Sequence, residues 1–356
     1  MKNVLILSTI DPRTTETGGD VRINNIREGL SKQHNTKTIT FVEDYDLFAE
    51  TSEIVPVRNP SISPIKLFDV KYLQKLRAEL SSETWDVVYV SNVNAALYGI
   101  YASYVSDSYV IFDDMDVTYQ LKRDQEKYFQ SMIFYLLERI LCKRADLVIP
   151  VSEIDREKLS KWSGDDSMVV ANGYDHEKYN PEGESLEFGS PVVLFFGNLR
   201  YQPNVEAVEH IAETIAPRLN ESCPEAEIHV VGPDPENVRE LVAESPNVVL
   251  NGYVERIDQY IRGSEVVIVP LDTGSGTRFK IIESLACGVP VVSTAKGAEG
   301  WPFEWPNLTI SAIDDFPADI ERVLEDGRFD EELFNVMEKY SWDGQVSKIT
   351  DHIDSL

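Results

Sequence analysis

Residues Val266–Thr294 read VVIVPLDTGSGTRFKIIESLACGVPVVST. An apolar run ends at Pro270, a loop containing Gly274 and Gly276 follows, and a helix is expected from near Thr277 to Cys287. Gly288 supplies the C-terminal stop, and Pro290 precedes a second buried strand. Strand, glycine loop, helix and strand in that order belong to a parallel sheet covered by helices. The loop and the helix start present free backbone N–H groups at the positive end of the helix dipole, which suits a phosphate. Arg278 and Lys280 stand at that same end, where the macrodipole disfavours cations, and a bound anion would account for them. Glu283 follows about one turn later among apolar neighbours, where a carboxylate can accept hydrogen bonds from a ribose diol. An ordinary amphipathic helix behind a glycine loop is the plain alternative.

The same alternation runs outward in both directions. Strands are expected at 3–8, 38–42, 86–91, 109–113 and 146–151, then at 191–197, 226–232, 247–251, 264–270 and 289–293. No internal repeat stands out, yet one architecture is laid down twice. Asn172-Gly173-Tyr174 through Gly189-Ser190-Pro191 has the Gly, Pro, Asn and acid content of a linker. The expected organisation is α/β, with two Rossmann-like domains at 1–180 and 181–341 facing a cleft and a last helix near 342–356. Ligands of such sheets bind at the carboxyl ends of the strands.

Composition narrows the class. With 356 residues, 42% of them hydrophobic, the chain can bury two cores. Its net charge of −28 is uneven: 1–180 carry 21 basic against 28 acidic residues (−7), and 181–356 carry 12 against 33 (−21). That balance disfavours nucleic acid as a partner. A surface suited to a high-salt cytoplasm and simple solubility both fit it, and charge alone does not separate them. Cys142, Cys223 and Cys287 are an odd, scattered set without metal-type spacing, which argues for a reducing compartment. The apolar run after Met1-Lys2-Asn3 is too short for a signal peptide, no stretch approaches a membrane span, and a cytoplasmic protein is expected. In that setting the sequons at Asn220 and Asn307 are accidental.

Further motifs lie in order along the chain: Gly18-Gly19 after the first strand; Asp146 through Ser152 and Leu159; and Asn172-Gly173-Tyr174-Asp175 with Tyr179 and Pro181 close behind. Phe195-Phe196-Gly197-Asn198-Leu199, Gly252-Tyr253-Val254 and Tyr340-Ser341-Trp342 follow. Together with the segment at 266–294, these resemble the signature of the family 4 retaining glycosyltransferases (glycosyl transferases group 1) over nearly the whole chain. The resemblance implies a GT-B fold and hexose transfer from a nucleotide diphosphate sugar to a glycan or lipid-linked acceptor. It implies that Glu283 holds the donor ribose, that Arg278, Lys280 and Arg200 neutralise the diphosphate, and that Tyr253 and Val254 face the nucleobase. Gly197, Asn198, Ser275, Gly276 and Thr277 complete the donor pocket, and Gly18 and Gly19 form an acceptor or phosphate loop.

Two positions depart from the family pattern. Ser275 stands where a second Glu usually holds the transferred sugar, and the usual Lys is missing from Arg200-Tyr201-Gln202-Pro203-Asn204. Many members place a His-Asp pair on the acceptor side; the matching run is Asp113-Asp114-Met115-Asp116, with Asp116 the best candidate and an acidic helix cap the alternative. His34, His176, His210, His229 and His352 fall in no catalytic context. With two side-chain cations at the phosphate and no metal cluster in view, neither metal nor other cofactor is expected. A sugar-nucleotide epimerase on the same fold, or a non-catalytic partner subunit, are the competing readings.

Residues 122–144 hold six basic residues against three acids and a run of large apolar side chains. A peripheral membrane contact through Lys122, Arg123, Lys127 and an apolar face around Phe129, Ile133 and Leu137 is one expectation. A core helix with basic edges is the other.

Overall fold

The computed structural model describes residues 1–11, 17–42, 53–59, 67–164, 166–233, 235–274, 276–327 and 331–356. It divides into two compact units, Met1–Asn172 with Trp342–Leu356, and Gly173–Ser341.

The first unit runs β1 (Asn3–Leu7), α1 (Gly18–Gln33), β2 (Asn35–Val42), β3 (Ile54–Arg58), α2 (Val70–Ser82), β4 (Val87–Ser91), α3 (Ala96–Val105), β5 (Tyr109–Asp114), α4 (Thr118–Asp124), α5 (Tyr128–Cys142), β6 (Leu147–Pro150) and α6 (Glu153–Ser163). The second runs β7 (Val192–Phe196), α7 (Gln202–His210), α8 (Ala216–Ser222), β8 (Glu227–Val231), α9 (Glu236–Val242), β9 (Val248–Asn251), α10 (Ile257–Gly263), β10 (Val266–Val269), α11 (Phe279–Ala286), β11 (Val291–Ser293), β12 (Leu308–Ile310), α12 (Phe316–Asp326) and α13 (Glu331–Glu338). The chain then returns to the first unit with α14 (Trp342–Ser355).

Each unit holds one parallel six-stranded sheet, ordered β3-β2-β1-β4-β5-β6 and β12-β11-β10-β7-β8-β9. Counted within its own unit, the second order is the first read backwards, so the doubly wound topology occurs twice. β4 and β7 are buried along their whole length, as strands covered by helices on both faces must be. Every strand expected from the sequence is present. Two edge strands were not anticipated, β3 with Pro56 inside it and the three-residue β12. An edge strand tolerates proline and needs little apolar sequence, so its pattern is weak.

The motifs have local structural work. Thr17 and Asp20 form a capping box at α1, so Gly18 and Gly19 are its first helical residues rather than a free loop. Asp146 Oδ2 accepts the Val110 N–H (2.7 Å), and Ser152 caps α6 through Asp155 N–H (3.1 Å). Val346, Ile349 and Ile353 of α14 join Val4, Ile6, Ile23, Ile26 and Leu30 in one apolar cluster. Gly29 permits that packing, because a Cβ there would lie 2.4 Å from Val346 Cγ1.

The division falls between Asn172 and Gly173, earlier than the boundary expected after 180. Arg22 Nη1 donates to Ala171 O (3.3 Å) and Asn172 Oδ1 (3.2 Å), and Ala171 N–H donates to Gln345 Oε1 (2.8 Å) on α14. From Tyr174 the bonding changes side: its N–H donates to Tyr340 O (3.2 Å).

The 122–144 segment is two helices, α4 and α5, broken at Glu126 with φ +58°. Phe134, Leu137 and Leu141 of α5 face the core, and Ile133 is packed against it. The outward face is therefore Tyr128, Phe129, Met132, Leu136 and Ile140, which replaces the expected face around Ile133 and Leu137. No helix among the described residues is long and apolar enough to cross a membrane.

Candidate functional site

In the second sheet β7 and β10 are neighbours whose connections leave in opposite directions, so the sheet's topological switch point lies at their carboxyl ends. Two loops meet there. One follows β7 at Gly197; the other follows β10 and carries Gly274 (φ +100°) and Gly276 (φ +77°), left-handed conformations that favour glycine. A Cβ on Gly197 would lie 2.8 Å from Asn204 Nδ2 and 3.0 Å from Lys280 Nζ, so the glycine makes room for both. A Cβ on Gly274 would lie 2.8 Å from Arg278 Nη2. Gly232 brings β8 in equally closely, since its Cβ would meet Gly197 O.

α11 starts at Phe279, two residues later than expected, so Arg278 is the N-cap with extended backbone. Its Nη1 donates to Gly276 O, and Trp301 Nε1 donates to Arg278 O (3.1 Å). Lys280 is buried: Nζ donates to Asn204 Oδ1 (3.1 Å) and lies 4.4 Å from the centre of the Phe195 ring. Asn204 in turn donates to Asn198 O (2.9 Å), and Asn198 Oδ1 accepts the Arg200 N–H (2.9 Å). Burial, then the neighbouring Arg278 charge, bring the Lys280 ammonium down to about 7. Glu283, half-buried, is pushed up to about 6 by burial, against the pull of Tyr179, Lys178 and Lys280. The helix ends as its glycine predicts, with Gly288 at φ +74° and Val289 N–H bonded to Ser284 O (3.0 Å).

The structure thus brings Gly197, Asn198, Gly276, Arg278 and Lys280 together around the two loops, with Glu283 on the same helix as the cations. Thr277 is half-buried between Gly276 and Arg278, and Arg200 is exposed. Tyr253 is 74% exposed and Val254 half-buried in the loop after β9. Ser275 lies outside the described residues. Sequence reasoning gave no role to Asn204, the Lys280 partner; a polar residue in the first turn of α7, within the run that lacks the usual Lys, was its signal.

In the first unit, Gly19 lies against Met115: a Cβ on the glycine would be 3.7 Å from Met115 Sδ. The three neighbouring carboxylates differ. Asp113 is fully buried and receives Arg22 Nη2 (2.7 Å), Arg22 Nε (3.1 Å) and the Tyr89 hydroxyl (2.7 Å). Asp114 is buried with neither oxygen hydrogen-bonded; burial, then Glu138 nearby, raise it well above the usual carboxylate range. Asp116 alone of the three is partly accessible. α4 begins at Thr118, and its N-cap residue, Val117, supplies no side-chain cap. Among the described residues no group of three or more His, Cys, Asp or Glu is placed to hold a metal ion.

Two doubly wound parallel sheets, with glycine loops meeting at the switch point of the second, define the GT-B class of fold. Solved structures agree in fold. The sucrose-phosphate synthase of Thermosynechococcus elongatus superimposes with a TM-score of 0.78 at 16% identity, covering 100% of this chain and 99% of the other. Anabaena Alr3699/HepE in complex with UDP and glucose gives 0.70 at 16% identity with full coverage of both chains. The lipopolysaccharide outer core galactosyltransferase WaaB in its apo form gives 0.66 at 19% identity, covering 100% and 99%. No curated protein sequence matches. Two family models do: Glycosyltransferase Family 4 over residues 17–178 and Glycosyl transferases group 1 over 190–326. The chain belongs to this glycosyltransferase family.

Proposed function

We propose that this glycosyltransferase moves a hexose, with retained anomeric configuration, from a nucleoside diphosphate sugar to a glycan or lipid-linked acceptor in cell-surface or glycoprotein glycan assembly. One observation carries the donor reading: Arg278 and Lys280 lie at a helix start beside two glycine loops, with Glu283 one turn on. Backbone N–H groups of Gly276 and Thr277 and the two cations receive the diphosphate; Glu283 holds the ribose, with Asn198 and Arg200 lining the pocket and Tyr253 and Val254 facing the base. In the reaction an acceptor oxygen bonds to the anomeric carbon as the bond to the diphosphate breaks. A phosphate oxygen takes the acceptor proton, and fixed cations stabilise the charge on the leaving group without a divalent ion. Asp116, with Gly18 and Gly19, faces the acceptor side. HepE, solved with UDP and glucose, supports the donor class, and WaaB, named for lipopolysaccharide, supports a lipid-linked acceptor.

The deciding experiment is a thermal-shift panel of UDP, GDP, ADP and dTDP on the wild type and on Glu283→Gln. One nucleotide should stabilise the wild type strongly, and the variant should lose about 1.5–3 kcal/mol of its binding. Equal binding by both proteins would remove Glu283 from the ribose.

The acceptor reading adds peripheral docking on the cytoplasmic face of a membrane. Its support is the exposed apolar row Tyr128, Phe129, Met132, Leu136 and Ile140, flanked by Lys122, Arg123 and Lys127 at one end and Arg139, Lys143 and Arg144 at the other. Each basic residue near an anionic surface contributes about 1 kcal/mol. Flotation with anionic liposomes should fall when Lys122, Arg123 and Lys127 become Glu. No flotation of the wild type at low or high salt would favour a soluble acceptor.

A further inference from the structure

The segment after the domain boundary is strapped to α10 by one buried guanidinium. Arg262, 5% exposed, pairs with fully buried Asp258 one turn earlier. Its Nε donates to Glu184 O (2.6 Å), and its Nη1 donates to Lys178 O (3.0 Å) and Asn180 O (3.2 Å). Gly183 leaves space for it, because a Cβ there would lie 2.5 Å from Arg262 Cζ. Two of those three carbonyls flank Tyr179. The same turn is closed by Asp175, whose Oδ1 accepts the N–H groups of Glu177 (3.0 Å) and Lys178 (3.3 Å), and whose carbonyl accepts the Tyr179 N–H (2.8 Å). Tyr179 is thereby buried, with its phenol facing the Glu283 carboxyl and helping to hold it in the ionised form.

A buried ion pair contributes little net stability compared with apolar residues of the same size. Here three further hydrogen bonds from the guanidinium reach carbonyls of one loop, beside a weak contact to Cys287 Sγ (4.0 Å). A planar guanidinium suits that task, since several N–H groups in a fixed fork can hold several carbonyls at once.

We propose that Arg262 is a positioning residue for Glu283: by gripping the carbonyls on either side of Tyr179 it sets the phenol that orients the Glu283 carboxylate toward the ribose of a bound nucleoside diphosphate. This rests on the ribose-holding role proposed for Glu283. The groups facing Glu283 are Lys178 and Tyr179 from the strap and Lys280 and Cys287 from its own helix, with Asp258 and Arg262 behind them on α10. Burial raises the Glu283 carboxyl, and the facing Tyr179 phenol is the first of the groups that keep it at about 6. The phenol favours the ionised form by donating to it.

The test is calorimetric titration between about pH 5 and 8 with the nucleotide of the four above that stabilises the wild type most. Wild-type affinity should fall on the acid side with a midpoint near 6. Tyr179→Phe should move that midpoint up by about one pH unit and weaken binding about threefold near pH 6.5, growing to about tenfold near pH 5. Arg262→Lys should shift it in the same direction by less, and adding Arg262→Lys to Tyr179→Phe should shift it no further. Gly183→Ala, which crowds the guanidinium without removing its charge, repeats the Arg262 arm if Arg262→Lys fails to fold. An unmoved midpoint in Tyr179→Phe would overturn the proposal, as would fully additive shifts in the double variant. Glu283→Gln with wild-type affinity and pH profile would instead overturn the reading of Glu283 itself.

Discussion

At the carboxyl end of β5 a guanidinium and a carboxylate meet inside the first unit: Arg22 and Asp113 are 1% and 0% exposed and bonded at 2.7 Å. At the start of α11 in the second unit, Arg278 and Lys280 lie side by side, with hydrogen bonds from them to the Gly276 and Thr273 carbonyls and the Asn204 amide oxygen. The two sheets share one strand order, so topology alone does not produce this contrast. What differs is the destination of the charge. In the first unit it is cancelled internally and ties α1, β5 and the 171–172 crossing together. In the second two cations stand next to each other, and burial with the Arg278 charge depresses Lys280 while Glu283 pulls the other way. Two cations crowded at a helix start cost stability, and the diphosphate proposed above would offset that cost.

The comparison breaks most visibly at Arg22. Arg22→Leu leaves Asp113 buried without its guanidinium and should destabilise the fold by about 3–5 kcal/mol in urea unfolding. If Asp113→Asn added to it restores most of the loss, the pair is confirmed as structural. Arg278→Ala should behave in the opposite sense. Transfer should lose about 2–4 kcal/mol of barrier lowering, while the urea midpoint changes little. Wild-type rates in that variant would place the phosphate elsewhere.

A subtler consequence concerns pH. Donor kcat/KM reports the free enzyme, so it should rise as Glu283 ionises through about 6 and fall as Lys280 loses its proton through about 7. A bound diphosphate raises Lys280 again, so the kcat profile should extend further to the alkaline side. Lys280→Arg should remove the alkaline limb of kcat/KM, and a limb unchanged in that variant would assign it to another group.

Much of this molecule is readable from residues close together in the chain. Alternating apolar runs and helical stretches specify two parallel sheets, because strand and helix periods are local properties. Gly274, Gly276 and Gly288 mark a loop and a helix stop for the same reason, and the cations and carboxylate of α11 follow within one and a half turns. Where partners are far apart in sequence, that reading fails. Arg22 finds Asp113 across 91 positions, and Lys280 finds Asn204 across 76, with neither motif naming its partner. The outward face of α5 follows from which side β4, α3 and α6 leave open, so Leu137 turned inward where an amphipathic pattern alone allowed either choice. The boundary at Asn172, the edge strands β3 and β12, and the near-neutral poise of Lys280 and Glu283 are likewise tertiary outcomes. Each depends on hydrogen bonds, burial or charge acting through space, which spacing along a chain does not encode.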